Sequence, residues 1–207
     1  MLEKLAKQTA VYGISTIAVR FLSYLLTPVF TRVFEPEAYG IVTDVYALIP
    51  FALVVLTMGL ESAYFRFAAK ADAAAAAAGG TEGEIAAQAR AGKRRLFATA
   101  WGVTLLAASL FFLLTAFGRE RVAEWMGEAY VAHPEYVLLV AAVVWFDVAA
   151  CLPFSRLREQ GRAMTFVGIK ALGVVVNVAL AIGFALAGLY GTPFGVGGVF
   201  VANLIAS

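Results

Sequence analysis

Residues 96–117 read LFATAWGVTLLAASLFFLLTAF, 22 residues without a charge, flanked by Lys93-Arg94-Arg95 before them and Arg119 after. At about 1.5 Å per residue a helix of this length reaches about 33 Å, enough to cross the hydrocarbon of a bilayer. Runs of the same kind surround it at residues 11–33, 39–65, 136–154 and 164–189, and a sixth begins near Phe194 and reaches Ser207. They are too long for strands and lack the alternation of a membrane barrel. The composition agrees: 62% of the chain is apolar and 14% charged, with a mean hydropathy of +0.83. A soluble domain runs nearer about 45–50% apolar and about 25% charged. Most soluble enzymes, nucleic-acid binders and disordered chains are thereby excluded. The predicted fold class is all-α: a polytopic bundle of about six transmembrane helices.

The charges decide the orientation. An arrangement with the N-terminus inside places Lys4, Lys7, Arg66, Lys70, Arg90, Lys93, Arg94, Arg95, Arg156, Arg158 and Arg162 on the cytoplasmic side. Only Arg32, Arg119 and Arg121 then face outward, which satisfies the positive-inside rule. The first run is read as a retained span rather than a signal peptide, because it exceeds the usual apolar length of about 7–15 residues. Most connectors are short. The Ala/Gly-rich stretch 68–95 is the exception, read as a cytoplasmic connector with a short surface helix interrupted by Gly79-Gly80. Trp125 and Tyr130 are expected as interfacial anchors, and His133 as a solvated loop residue.

Polar groups inside the spans are the candidate site. Arg20 would sit about 18 Å into the first helix, too deep to reach water along its own stem, so a cavity or a partner must receive it. Thr16, Ser23 and Thr27 share its arc, with Tyr24 on the flank. In the second span Thr43, Tyr46, Pro50, Thr57, Glu61 and Tyr64 fall on one face, and Pro50 is expected to kink the helix. Asp147 and Cys151 share a face of the fourth span; Lys170, Gly173 and Asn177 share one in the fifth. Asp44, Glu61 and Asp147 are candidates for pairing with Arg20 or Lys170, or for ion coupling. A single hydroxyl in such a helix more often bonds back to its own carbonyls, and small residues more often serve packing. A single cysteine and a single histidine leave no metal-ligand spacing, and no nucleophile or phosphate-loop motif is present. No catalytic residue and no cofactor is expected.

The stretch LTPVFTRVFEPEAYGIVTDVYALIPFALVVLTMGLESAYFRF resembles the first two helices of polysaccharide (O-antigen-type) flippases of the multidrug/oligosaccharidyl-lipid/polysaccharide exporter superfamily. The turn carrying Pro28, Thr31, Arg32, Pro36, Tyr39 and Gly40 is its most specific part. The run from Arg156 to Arg162, Asn177 in a helix of small residues, and the ending GVGGVFVANL are similar to the same family. The resemblance implies a transporter of two lobes, of which this chain supplies the N-terminal one and lacks the C-terminal lobe. It further implies a multi-pass protein of the bacterial cytoplasmic membrane and a lipid-linked oligosaccharide as cargo. The diphosphate of that cargo would meet Arg20 and, by extension, Lys170, while its prenyl tail stays among membrane lipids. Two other readings stand beside it: a cation-coupled multidrug exporter relying on Asp44, Glu61 and Asp147, and a non-transporting truncated membrane fragment.

Overall fold

The computed structural model describes residues 26–187 and 195–207. Among these residues every regular element is a helix. In chain order they are α1 (Thr27–Val33), α2 (Pro36–Thr57), α3 (Leu60–Ala78), α4 (Glu82–Phe117), α5 (Arg119–Met126), α6 (Glu128–Val131), α7 (Glu135–Glu159), α8 (Ala163–Leu186) and α9 (Gly197–Ala206). Among the described residues, four apolar stretches are long enough to cross a membrane: α2 with α3, α4, α7 and α8. The protein is an all-α membrane helical bundle.

The α4–α7 pair is its most extensively packed contact. Along α4, Ala100, Thr104, Ala108 and Thr115 are buried at nearly every fourth position. Small side chains at this spacing bring the backbones together where lipid supplies no hydrophobic drive. Val137, Ala141, Val144, Val148 and Leu152 of α7 are buried as well. Two indole groups tie the pair: Trp101 Nε1 donates to the Ala149 carbonyl at 2.9 Å, and Trp145 Nε1 to Ser109 Oγ at 3.1 Å. The hydroxyls of Thr31, Thr43, Thr57 and Thr104 donate back to carbonyls three or four residues earlier, so much of the hydroxyl stripe is satisfied within its own helices.

Three expectations are corrected. The span over residues 39–65 is two helices. α2 runs through Pro50 and stops at Met58 and Gly59, both in the left-handed region with φ of 49° and 69°. The stretch 68–95 is helical on either side of a tight reversal: α3 continues to Ala78 and α4 starts at Glu82. Gly79 and Gly80 turn the chain at positive φ. Thr81 then opens α4 with a capping box, its backbone N–H donating to Glu84 Oε2 at 2.8 Å and its hydroxyl accepting from the Glu84 N–H. Tyr130 is buried rather than interfacial, and its hydroxyl donates to the Ile41 carbonyl at 3.4 Å. That burial, together with the nearby Asp44 carboxylate, pushes its phenol up to about 12. Trp125 is 80% exposed.

Lys93 bonds Asp72 at 2.7 Å and Glu159 at 2.6 Å, joining α3, α4 and α7 at one end of the bundle. The basic residues of the α3–α4 reversal and of the α7–α8 turn therefore collect at that end. Arg32, Arg119 and Arg121 lie at the other.

Candidate functional site

Five helices leave a space between them. α1, α2, α7, α8 and α9 enclose a cavity of about 610 Å³. α2 presents Tyr39, Thr43 and Tyr46 to it, and α7 presents Asp147 and Phe154. Lys170, Gly173 and Asn177 come from α8, Asn203 from α9 and Thr27 from α1. The close approach of α8 and α9 depends on Gly173, where a Cβ would lie 2.8 Å from the Ala206 carbonyl oxygen. That approach sets Asn203 opposite α2.

The polar groups form two neighbouring sets. Asn203 Nδ2 donates to the Tyr46 hydroxyl at 3.4 Å, and Asn177 lines the same cavity from α8. This gives an amide–phenol cluster drawn from three helices. Beside it, Asp147 of α7 and Lys170 of α8 line the same cavity. The Lys170 ammonium stands 4.3 Å from the centre of the Phe154 ring, a cation–π contact that holds it against the apolar wall. Leu26, Phe30, Val42 and Ile169 supply the rest of the apolar lining. A fixed cation, an acid, two amides and a phenol in an apolar setting can hydrogen-bond an anionic, polyhydroxylated molecule in place of its water.

Of the residues named from sequence, Thr27, Thr43, Tyr46, Asp147, Lys170, Gly173 and Asn177 line this cavity. Thr16, Arg20, Ser23 and Tyr24 lie outside the described residues. Glu61 is not among the lining residues. Its carboxylate pairs with the Arg158 guanidinium from the end of α7, and it accepts from Cys151 Sγ at 3.6 Å. Arg158 also bonds Ser155 Oγ at 3.2 Å and stacks over Phe65 and Phe166. Glu61 thus fastens α3 to α7. The reason is geometric: the left-handed pair Met58-Gly59 resets the helical phase, so Glu61 no longer continues the face of Thr43 and Tyr46. Cys151 likewise turns toward Glu61 while Asp147, one turn earlier, opens to the cavity. Asp44 lies at the far end, near Tyr130. Asn203 was not singled out as a site residue, although an amide in an otherwise apolar run was a readable signal. Among the described residues, no three His, Cys, Asp or Glu side chains converge in a way that would hold a metal ion.

A family model described as polysaccharide biosynthesis protein matches residues 5–207. The chain belongs to that family. The match runs through every helix that lines the cavity. No curated protein and no solved structure matches the chain. The family is of transporter type.

Proposed function

We propose that this polysaccharide biosynthesis protein is part of a carrier that moves a lipid-linked oligosaccharide across the bacterial cytoplasmic membrane. The observation that carries the reading is the cavity itself. Lys170, Asn177, Asn203 and Tyr46 gather in it, deep among helices whose outer faces are apolar. A diphosphate and a sugar cannot cross hydrocarbon without substitutes for their hydration. Lys170 offers the charge, with Arg20 of the first span expected to add a second. The amides and the Tyr46 hydroxyl offer donors and acceptors for sugar hydroxyls. A prenyl tail needs no site, since it stays in lipid. Such a carrier rocks two bundles around a central site, which requires a second lobe to close the other wall.

Lys170→Ala tests this in cells carrying the complete transporter. Losing one charged hydrogen bond to an anion weakens its binding about 10- to 100-fold. The expected result is depleted surface polysaccharide with lipid-linked precursor accumulating. The exporter reading draws its support from Asp147 in the same cavity, and it predicts the opposite pattern for Asp147→Asn: drug efflux falls while surface polysaccharide is kept. That pattern, with Lys170→Ala silent for polysaccharide, would sink the flippase reading.

A further inference from the structure

The cations at the basic end of the bundle fall into two groups. Those of the first have partners inside the protein. Lys93 bonds Asp72 and Glu159, Arg158 pairs with Glu61, and the Arg156 guanidinium lies 4.6 Å from the centre of the Phe97 ring. These pairs engage both acids of α3 and the acid of the last turn of α7. In the second group, Arg66, Lys70, Arg90, Arg94 and Arg95 are all exposed. None of the five joins an ion pair among the described residues. All five belong to α3 and α4.

The Lys93 bridge fixes where these five stand. It sets Asp72 of α3 level with Lys93 of α4, just before the uncharged run that opens at Leu96. Along the helix axes Lys70, Arg94 and Arg95 lie within about 3 Å of that level. Arg66 is one turn deeper than Lys70, and Arg90 one turn farther out than Arg94. This level is the headgroup layer on the basic side of the membrane. The Lys70 ammonium stands 5.4 Å from the centre of the exposed Phe67 ring. A cation and an apolar ring thus sit together where acyl chains meet headgroups.

Without an external anion this arrangement is costly. Arg66 and Lys70 are four apart on α3, and Arg90 and Arg94 are four apart on α4. That spacing sets like charges side by side and destabilises a helix. A Cβ on Gly92 would stand 3.4 Å from that of Ala71, so the two helices lie close and both rows share one root. The remaining acids of the hairpin, Glu82 and Glu84, are at its tip, about 9 Å or more along the axis from Arg90. Glu84 is engaged there by Thr81. No residue of α3 or α4 lines the cavity, so these cations are apart from the candidate cargo site.

We propose that the root of the α3–α4 hairpin is a binding surface for anionic phospholipid headgroups, held by Arg66, Lys70, Arg90, Arg94 and Arg95. Phosphate oxygens supply the negative charge that the protein's own acids do not, and each guanidinium can take two of them at once. A cluster of about four to eight basic residues beside a spanning helix is the pattern that gathers such lipids. The acyl chains lie along the apolar surface below, where Phe67, Val103 and Leu106 are exposed. Glu82 and Glu84 keep the tip of the hairpin off the same surface. The site is separate from the cavity, and nothing in it depends on what the carrier moves.

The test uses the complete transporter in phosphatidylcholine vesicles, with spin-labelled phosphatidylglycerol or spin-labelled phosphatidylcholine as the probe. The fraction of each label slowed by the protein gives their relative affinity. One cation beside an anionic headgroup strengthens binding about 5-fold, so the wild type should prefer phosphatidylglycerol by at least about that factor. The preference should weaken as salt is raised. Replacing all five cations by Gln should reduce it at least about 5-fold. The α3 pair and the α4 trio are also replaced separately, each for a partial loss, so a poorly folding fivefold variant leaves the test intact. Arg119→Gln with Arg121→Gln, at the other end of the bundle, should change nothing. Equal affinity for the two labels in the wild type overturns the proposal, as does a preference that survives both partial replacements. Displacement of labelled phosphatidylglycerol by a polyprenyl diphosphate but not by cardiolipin also overturns it, and would assign these cations to the cargo.

Discussion

The α4–α7 pair and the α2–α3 crossing are made of similarly apolar sequence, yet they behave as opposite kinds of structure. The first is a seam: Ala100, Thr104 and Ala108 let two helices touch closely, and indole donors from Trp101 and Trp145 stitch it. The second carries bulky side chains turned outward and backbone defects at Pro50 and Met58-Gly59. Hydropathy does not separate them. Residue size along the packed face and the supply of backbone donors do. A bilayer makes both kinds of helix insert, but only close contact between small residues makes a pair rigid.

Substitutions along each element are ways to break the contrast. Ala108→Leu should be the most damaging, because Ala108 is fully buried in the seam. Overpacking there is expected to cost up to about 3 kcal/mol, read as a lowered midpoint in thermal unfolding in detergent. Thr81→Ala should cost about 1 kcal/mol by removing the capping box of α4. Its signature is faster amide exchange confined to the first turn of α4, with the seam unchanged. Trp145→Phe puts a smaller phenyl in place of the indole and deletes the bond to Ser109, for an expected loss of at least about 0.6 kcal/mol, the average for such bonds within membranes. Val54→Ala sits at the other extreme. That side chain is 71% exposed, and its truncation should shift the unfolding midpoint by less than about 0.5 kcal/mol. If Val54→Ala proved as costly as Ala108→Leu, the division into seam and loose crossing would fail.

The spans were legible in the sequence because length and apolarity are what a bilayer selects. The break inside residues 39–65 was not, since an averaging window sees Met58-Gly59 as ordinary apolar residues. The misplacement of Glu61 followed from that. A helical wheel assumes unbroken phase, and two left-handed residues cancel it. Arg158 added a second effect invisible to spacing: side chains on a helix lean toward its N-terminus, so a guanidinium from the last turn of α7 reaches back to Glu61. Thr27, Asp147, Lys170 and Asn177 were readable because polar groups are costly in an apolar run and therefore conspicuous. Asn203 escaped notice because its run is short, and the contact with Tyr46 joins residues far apart in sequence. The stretch 68–95 misled through composition: Gly79-Gly80 reads as a loop, but alanines on one side and the Thr81–Glu84 cap on the other confine the turn to three residues.

That tight reversal also bears on how the chain is assembled. Partners separated by only a few residues find each other quickly, because little chain entropy is lost in bringing them together. Once α4 has left the ribosome, α3 and α4 can pair as a hairpin while α7 is still being made. The small-residue face of α4 then waits as a template, and α7 docks onto it, with Arg158 closing on Glu61 last. A weak cap at Thr81 would thus reveal itself first in the yield of newly made protein, before any change in the finished molecule.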